Sequence, residues 1–231
     1  MASYRVLFFD LDHTLWDFAT NAGQTLREIY SVFELQGRGI ASASEFEQRY
    51  TVINDQMWAD YRANRIDKET LRSKRFETTL DSFGISAHTL ADDIGTYYIE
   101  HSPRKTNLFP YTHETLSYLS EHYELHLITN GFEEVQHVKI TESKLDSYFG
   151  QVITSEAAGV KKPDKGIFLH AMKETGARRK ESLMIGDNLE ADIAGARRIG
   201  MDQVFFNPHK NPHGEQPTYE VDCLSQLRNF L

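Results

Sequence analysis

Short apolar runs alternate with helical patterns along most of the 231-residue chain, and this alternation constrains the fold more than any other feature. The nearly continuous runs cover residues 4–9, 124–129, 182–186 and 203–206, and a weaker run covers residues 151–154. Helical periodicity lies between them, over residues 114–121, 133–144, 165–175 and 190–199. Continuous apolar runs are typical of strands that are buried on both faces. Strands that alternate with helices predict an α/β fold with a parallel sheet.

Residues 17–103 interrupt the alternation, because this segment contains no convincing strand. Ser42, Asp67 and Ser86 each precede an apolar pattern with helical spacing, and all three are residue types that cap helix N-termini. Together with a helical pattern that begins at Phe18, they predict about four amphipathic helices inserted after the first strand. We therefore expect a discontinuous core domain, residues 1–16 and 104–231, and a helical cap domain, residues 17–103.

The charge balance narrows the range of partners. The formal net charge is −9, from 25 Lys and Arg against 34 Asp and Glu, so no basic surface for nucleic acid or a membrane is expected. No apolar run approaches the ~20 residues that span a bilayer. Cys223 is the single cysteine, which excludes an intramolecular disulfide and fits a reducing compartment. We therefore expect a cytoplasmic protein. A small anionic substrate is still possible, because a few local cations and a metal ion can outweigh the net negative charge of the protein.

Asp10 and Asp12 follow the first apolar run directly. Residues i and i+2 of an extended chain point to the same side, so both carboxylates can face one site at the end of the strand. Open parallel sheets bind ligands at the carboxyl ends of their strands. Two carboxylates leaving a buried strand also need a cation or a proton to compensate their charge. Taken alone, the pair is equally well interpreted as a turn that caps the next helix.

Two later strand ends carry residues that could hold a phosphate. The run at 124–129 ends in Thr129, followed by Asn130 and Gly131, which offer a hydroxyl and backbone N–H groups. Lys161 and Lys162 precede a proline and a helix, and an ammonium there could neutralise a phosphoryl oxygen. Taken alone, the first segment is better explained as an ordinary turn and the second as surface lysines.

The run at 182–186 ends in Gly186 and is followed by Asp187 and, five residues later, Asp192. Asp187 leaves its strand as Asp10 leaves the first one, and two such carboxylates with a backbone carbonyl form an oxygen-rich site that suits Mg²⁺. Asp192 could orient the ligands or the bound waters. The alternative role for Asp187 is a helix N-cap.

The four segments together resemble the haloacid dehalogenase-like hydrolase superfamily, whose motifs match residues 10–14, Thr129, Lys162 and residues 186–192. The resemblance covers essentially the whole chain and implies a Rossmann-like, three-layer α/β core with an inserted helical cap. It also implies that Asp10 forms an aspartyl-phosphate and that Asp12 exchanges protons with the leaving group and with water. Mg²⁺, or Mn²⁺ in its place, would be bound by Asp10, Asp187 and the main-chain carbonyl of Asp12.

The resemblance also implies which residues bind the phosphate and to which branch of the superfamily the chain belongs. Thr129, the Asn130 amide and Lys162 would hold the phosphate; chemistry alone does not choose between Lys161 and Lys162, although the Lys-Pro step of the motif favours Lys162. Dehalogenases of the superfamily lack an aspartate at the position of Asp12, because a halide leaves without a proton. Asp12 therefore favours a phosphatase.

The helical segment carries the resemblance to a substrate class. Residues 57–61 and 75–76, with residues 128–138 in the core, are similar to bacterial pyrimidine 5'-nucleotidases, which implies substrates such as dUMP, dTMP and UMP. Helix packing explains Trp58 and Tyr61 better than base stacking does. The alternatives are a phosphoglycolate or sugar-phosphate phosphatase, a phosphoglucomutase-like phosphotransferase and, least of all, a phosphate-binding module without activity.

Two further features predict no chemistry. Residues 207–218 are dense in Pro, Asn, Gly and His, and the segment is interpreted as a solvated loop, because His209 and His213 have no third metal ligand at a suitable spacing. No heptad or other self-association pattern indicates an oligomeric state.

Overall fold

In the computed structural model, which describes residues 4–231, all pairings of the six-stranded sheet are parallel and the strand order is β3-β2-β1-β4-β5-β6. Residues 1–3 of the predicted core domain lie outside the described residues. The strands are β1 Val6–Phe9, β2 Glu124–Thr129, β3 Gln151–Thr154, β4 Ser182–Gly186, β5 Asp202–Phe206 and β6 Tyr219–Val221. The predicted α/β fold with a parallel sheet is therefore confirmed. Strand β6 was not predicted from the sequence, because it is only three residues long and has one buried residue, Val221.

The α-helices of the described residues are α1 Phe18–Val32, α2 Ala43–Arg62, α3 Lys68–Asp81, α4 His88–His101, α5 Thr112–Ser120, α6 Glu133–Glu142, α7 Ser155–Ala158, α8 Lys165–Thr175 and α9 Gly195–Arg198. A π-helical turn, Leu189–Ala194, precedes α9, so the single helix predicted over residues 190–199 is wrong in detail. In this wider turn, the Asn188 carbonyl accepts from the amides of both Asp192 and Ile193. Within residues 4–231, no helix combines the length and the apolarity required to span a bilayer.

The sheet has an apolar cluster on each face. Leu7 and Phe9 of β1 belong to one cluster, with residues of α5 and α6, and Val6 and Phe8 belong to the other, with residues of α8 and α9. Alternate residues of a strand point to opposite faces, so a strand buried on both sides has to be apolar throughout. This arrangement forms the expected three layers.

β1 lies at the point where the strand order reverses. The chain adds β2 and β3 on one side of β1 and then β4, β5 and β6 on the other. Phe9 is paired with Leu127 of β2 and with Ile185 of β4, so the three strands end at the same edge of the sheet. Such a switch point is where open parallel sheets bind ligands.

The chain divides into two compact units: residues up to Phe18 together with Thr106–Leu231, and residues Ala19–Lys105. The second unit is helical, and its aromatic core includes Tyr50 and Phe76, whose ring centroids lie 4.9 Å apart. That this unit acts as a cap stays a prediction.

Two of the three predicted helix caps in the helical unit are confirmed. Ser42 accepts from the Glu45 amide at 3.2 Å, and Asp67 accepts from the Thr70 amide at 2.8 Å. The cap assigned to Ser86 is wrong: α4 begins after Ala87 without a side-chain cap. Ser86 lies one residue before the N-cap position, and its hydroxyl donates to Asp81 at 3.3 Å.

Candidate active site

Three of the predicted site segments meet at the switch point of the sheet. Asp10 follows the last residue of β1, and its amide donates to Ile185 of β4 at 2.9 Å. Asp187 follows the last residue of β4, and Thr129 is the last residue of β2. Because β1 pairs with both neighbours, these residues leave the sheet side by side.

The Lys162 ammonium connects two of the predicted aspartates. Its Nζ atom lies 2.6 Å from Asp10 Oδ1, 2.6 Å from Asp192 Oδ1 and 2.7 Å from the Ile128 carbonyl. An ammonium has three protons, so each of them has an acceptor. Burial lowers the pKa of Lys162, but the two carboxylates raise it more, and the pKa lies above its ordinary value. The lysine that reaches the site is therefore Lys162.

Asn130 holds the backbone of Lys162 through its side chain. The Asn130 Nδ2 atom donates to the Lys162 carbonyl at 2.9 Å, and the Lys162 amide donates to Asn130 Oδ1 at 2.8 Å. Both functional groups of the side-chain amide are therefore engaged in fixing the segment that carries the ammonium. A role of Asn130 in phosphate binding stays a prediction.

Asp10, Asp187 and Asp192 form a cluster in which one oxygen of each lies within 4.8 Å of the others. Burial raises the pKa of Asp10 to about 7; Lys162 opposes this shift, and Asp192 adds to it. Burial and the charge of Asp10 also raise the pKa of Asp187 well above its ordinary value. The Lys162 ammonium contacts two of the three carboxylates, so the ionised cluster carries excess negative charge that a divalent cation would compensate.

The donor set fits Mg²⁺, because all its ligand atoms are oxygens. Asp192 is the least available of the three carboxylates: Oδ1 binds Lys162, and Oδ2 accepts from the Asn188 amide at 3.0 Å. Asp10 and Asp187 would therefore hold the ion, with Asp192 orienting the site from behind. Thr14 also contacts this cluster, as its hydroxyl donates to Asp187 Oδ1 at 3.2 Å.

Gly186 is required for the position of Asp192. A Cβ atom on Gly186 would lie 2.3 Å from Asp192 Oδ2, so the Asp192 side chain would have to move. The glycine before Asp187 thus has a packing reason: it leaves room for a buried carboxylate behind the strand end.

The Asp12 carboxylate has different partners from Asp10. Lys139 Nζ lies 2.6 Å from Asp12 Oδ1, and Gln136 Nε2 donates to Asp12 Oδ2 at 2.9 Å. Burial raises the pKa of Asp12, but Lys139 and Gln136 lower it more, so the pKa lies below its usual value. The two aspartates predicted to share a site are therefore in opposite electrostatic environments.

Thr129 is almost fully buried, and its hydroxyl oxygen accepts from the Gly131 amide at 3.0 Å and from Gln136 Nε2 at 2.7 Å. With both acceptor positions used, the hydroxyl proton is the group left for a further partner, and a role of Thr129 in phosphate binding stays a prediction.

Gln136 and Lys139 were not among the residues predicted from the sequence. Both lie on the face of α6 that also carries buried Ile140. Along the helix, Lys139 is three residues and Ile140 four residues after Gln136. A lysine on the apolar face of a helix, directly after a strand end that carries polar residues, was the signal available in the sequence.

The remaining candidates do not form a second cluster. Trp58 and Tyr61 pack edge to face within the helical unit, with ring centroids 5.6 Å apart. His213 lies 3.2 Å from Glu220 and packs on Phe205, which gives it a structural role in the loop. Among residues 4–231, the acidic group at the switch point is the one set of three ligand side chains with metal-binding geometry.

Comparison with known proteins agrees with this geometry. The model of the haloacid dehalogenase-like hydrolase family matches residues 4–200. The pyrimidine 5'-nucleotidase PynA of Streptococcus pneumoniae is 32% identical over 99% of this chain and 95% of its own length. The pyrimidine 5'-nucleotidase YjjG of Escherichia coli is 31% identical over 97% and 96%. The magnesium-bound structure of the HAD-hydrolase YfnB of Bacillus subtilis superposes with a TM-score of 0.88, at 26% identity, over 98% and 97% of the two chains.

Proposed function

Since the chain belongs to the haloacid dehalogenase-like hydrolase family, we propose that it is a Mg²⁺-dependent phosphomonoesterase that works through an aspartyl-phosphate on Asp10. The observation that supports the proposal is that the two aspartates, Asp10 and Asp12, have different contacts. Asp10 belongs to the buried cluster held by Lys162, whereas Asp12 is held apart by α6. Phosphoryl transfer needs positioned charge above all, and this site offers a nucleophile, a cation and a separate proton carrier.

In the first step, the Asp10 carboxylate attacks phosphorus, the bond to the leaving oxygen breaks, and an aspartyl-phosphate forms. Lys162 contacts Asp10 Oδ1 directly, so its ammonium lies beside the phosphoryl group as that group is transferred. Thr129 donates its hydroxyl proton to a phosphoryl oxygen. Asp10, Asp187 and the Asp12 carbonyl would hold Mg²⁺, which would supply positive charge that compensates the carboxylates and the phosphate.

Asp12 handles the protons of both steps. It protonates the leaving alkoxide and then takes a proton from the water that hydrolyses the aspartyl-phosphate. The ion pair with Lys139 favours the ionised carboxylate, which is the form that the second step uses. The first step needs a proton at the leaving oxygen, and the substrate can carry it into the site because a phosphate monoester has its second pKa at ~6; Asp12 relays this proton as the bond to the leaving oxygen breaks.

We propose pyrimidine nucleoside monophosphates as the substrate class. The support is the similarity to two proteins named pyrimidine 5'-nucleotidases, which extends over nearly the whole length of all three chains. In this proposal the helical unit serves as the cap that selects the nucleoside, and the core unit carries the chemistry.

A substrate panel tests the proposal. The purified protein with Mg²⁺ should release phosphate from p-nitrophenyl phosphate and, with a higher kcat/KM, from UMP, dUMP and dTMP than from sugar phosphates or phosphoglycolate. Asp10→Asn should abolish turnover of every substrate, whereas the exposed control Asp146→Asn should keep wild-type rates. Equal rates for wild type and Asp10→Asn would contradict the mechanism, and a preference for sugar phosphates would contradict the substrate class.

A further inference from the structure

Helix α6 presents two buried polar side chains to the candidate active site. It begins at Glu133, four residues after the end of β2, and Gln136 and Lys139 follow within its first two turns. Gln136 is fully buried and Lys139 is 5% exposed. Long polar side chains are rarely buried to this degree unless their polar ends have fixed partners.

Gln136 connects Asp12 with Thr129. Its Nε2 atom donates to Asp12 Oδ2 at 2.9 Å and to Thr129 Oγ1 at 2.7 Å, so both amide protons are used. The chain makes room for this contact at Gly131, where a Cβ atom would lie 2.2 Å from Gln136 Nε2. The glycine of the phosphate-binding segment therefore serves the position of Gln136.

Lys139 completes the attachment of Asp12. Its Nζ atom lies 2.6 Å from Asp12 Oδ1, 4.3 Å from the centre of the Trp16 ring and 5.6 Å from that of Phe18. Aromatic faces attract an ammonium, so the rings limit where it can stand. A buried ammonium of this kind needs its carboxylate partner, since an unpaired buried charge is strongly unfavourable.

We propose that Gln136 and Lys139 are positioning residues that hold the Asp12 carboxyl group where it can exchange a proton with the leaving oxygen. This inference rests on the proposed phosphomonoesterase function. The two Asp12 oxygens have separate donors, Gln136 and Lys139, which lie three residues apart on one helix. The Asp12 side chain therefore cannot rotate about its terminal bonds without breaking a contact. Through Gln136, the same helix also fixes Thr129, so the proton carrier and the phosphate-binding hydroxyl keep one relative position.

Comparing esters with different leaving groups tests the inference, because a purely structural role of Gln136 and Lys139 would affect the rates for both esters equally. p-Nitrophenolate leaves with little help from a proton, whereas phenolate and alkoxides need one. Lys139→Met and, independently, Gln136→Met should lower kcat/KM for phenyl phosphate by roughly 10- to 100-fold, within the range of lost general acid catalysis. For p-nitrophenyl phosphate the loss in kcat/KM should stay below about threefold, because kcat/KM reports the transfer to Asp10, in which this leaving group does not depend on Asp12, and excludes the later hydrolysis step that both esters share.

The controls separate this inference from the proposed function. Lys173→Met, which removes an exposed lysine of α8, should leave both rates unchanged. In an Asp12→Asn background, adding Lys139→Met should change neither rate further, because the lysine acts through Asp12. Equal losses on the two esters, no loss on either, or an additive effect in the double variant would overturn the inference while leaving the phosphatase in place. A wild type without Mg²⁺-dependent activity on either ester would overturn the proposed function, and the inference with it.

Discussion

Lys162 and Asp192 meet at 2.6 Å between Nζ and Oδ1, with exposed side-chain fractions of only 2% and 1%. The same ammonium also contacts Asp10, so a single cation compensates two buried carboxylates of the candidate active site. Removing one partner of a buried ion pair leaves the other charge unpaired, and this costs more than the pair itself contributes. The site is therefore a sensitive point for folding as well as for catalysis.

Lys162→Met should lower the free energy of unfolding by about 3 kcal/mol in metal-free buffer, because it leaves Asp10 and Asp192 without their cation. Urea denaturation measures this loss. The matched control is Lys161→Met, which removes the neighbouring, partly exposed lysine and should change the free energy by no more than about 0.5 kcal/mol. Equal losses of unfolding free energy in the two variants would show that the buried contacts of Lys162 do not contribute more to stability than a partly exposed lysine does.

Mg²⁺ should stabilise the protein more at pH 8 than at pH 6. In the metal-free protein the pKa of Asp10 is about 7, against 3.8 ordinarily, so its contribution to stability is present at low pH and is lost as the pH rises through 7. The cation needs ionised carboxylates and competes with protons for them. Thermal unfolding with a fixed, subsaturating Mg²⁺ concentration measures the Tm shift at each pH, with Asp187→Asn as the variant that should lose the shift. A shift as large at pH 6 as at pH 8 would contradict the assignment.

Gly186→Ala should destabilise the core domain by about 2 kcal/mol, because the new methyl group and the Asp192 carboxylate cannot occupy the same space. The displacement of Asp192 should also lower kcat. Gly214→Ala is the control, since a Cβ atom there meets nothing within 4 Å, and it should stay within about 0.5 kcal/mol of wild type. If Gly186→Ala kept both stability and turnover, the close approach of Asp192 would not matter for the site.

His126 should make the protein less stable as the pH falls through the range near 6. The side chain is 6% exposed on β2, and neither ring nitrogen has a hydrogen-bond partner among the described residues. Burial lowers the pKa of His126 more than Glu124 raises it, so the unfolded chain takes up the proton more readily than the folded protein. Its contribution is present above about pH 6.5 and is lost as the pH falls through the lowered pKa.

His126→Leu should reduce this pH dependence. Urea denaturation at about pH 7.5 and about pH 5.5 should show a smaller difference in unfolding free energy for the variant than for wild type. The same difference in both proteins would mean that the ring is not neutral and buried in the folded state.

Most of the core domain and its site segments could be predicted because they depend on local patterns. A strand buried on both faces must be apolar throughout, as residues 6–9 are, and the carboxyl ends of parallel strands must meet at one edge of the sheet. The common position of Asp10, Thr129 and Asp187 follows from that geometry, although each segment taken alone also fitted a turn or a helix cap. The short strand β6 was missed, because three residues with one buried position carry too little pattern.

The sequence by itself determined which strand-end residues lie at the switch point of the sheet, whereas the tertiary structure decided which other side chains reach it and which of them are partners. The order of apolar runs already places Asp10 and Asp12 at one strand end. Only the packing of α6 assigns Lys139 to Asp12, and only the segment held by Asn130 assigns Lys162 to Asp10. The reason is physical: strand ends are set by residues close in sequence, but ion pairs join residues separated by 127 and 152 positions. Nothing local specifies such a contact, since it exists only when two elements pack.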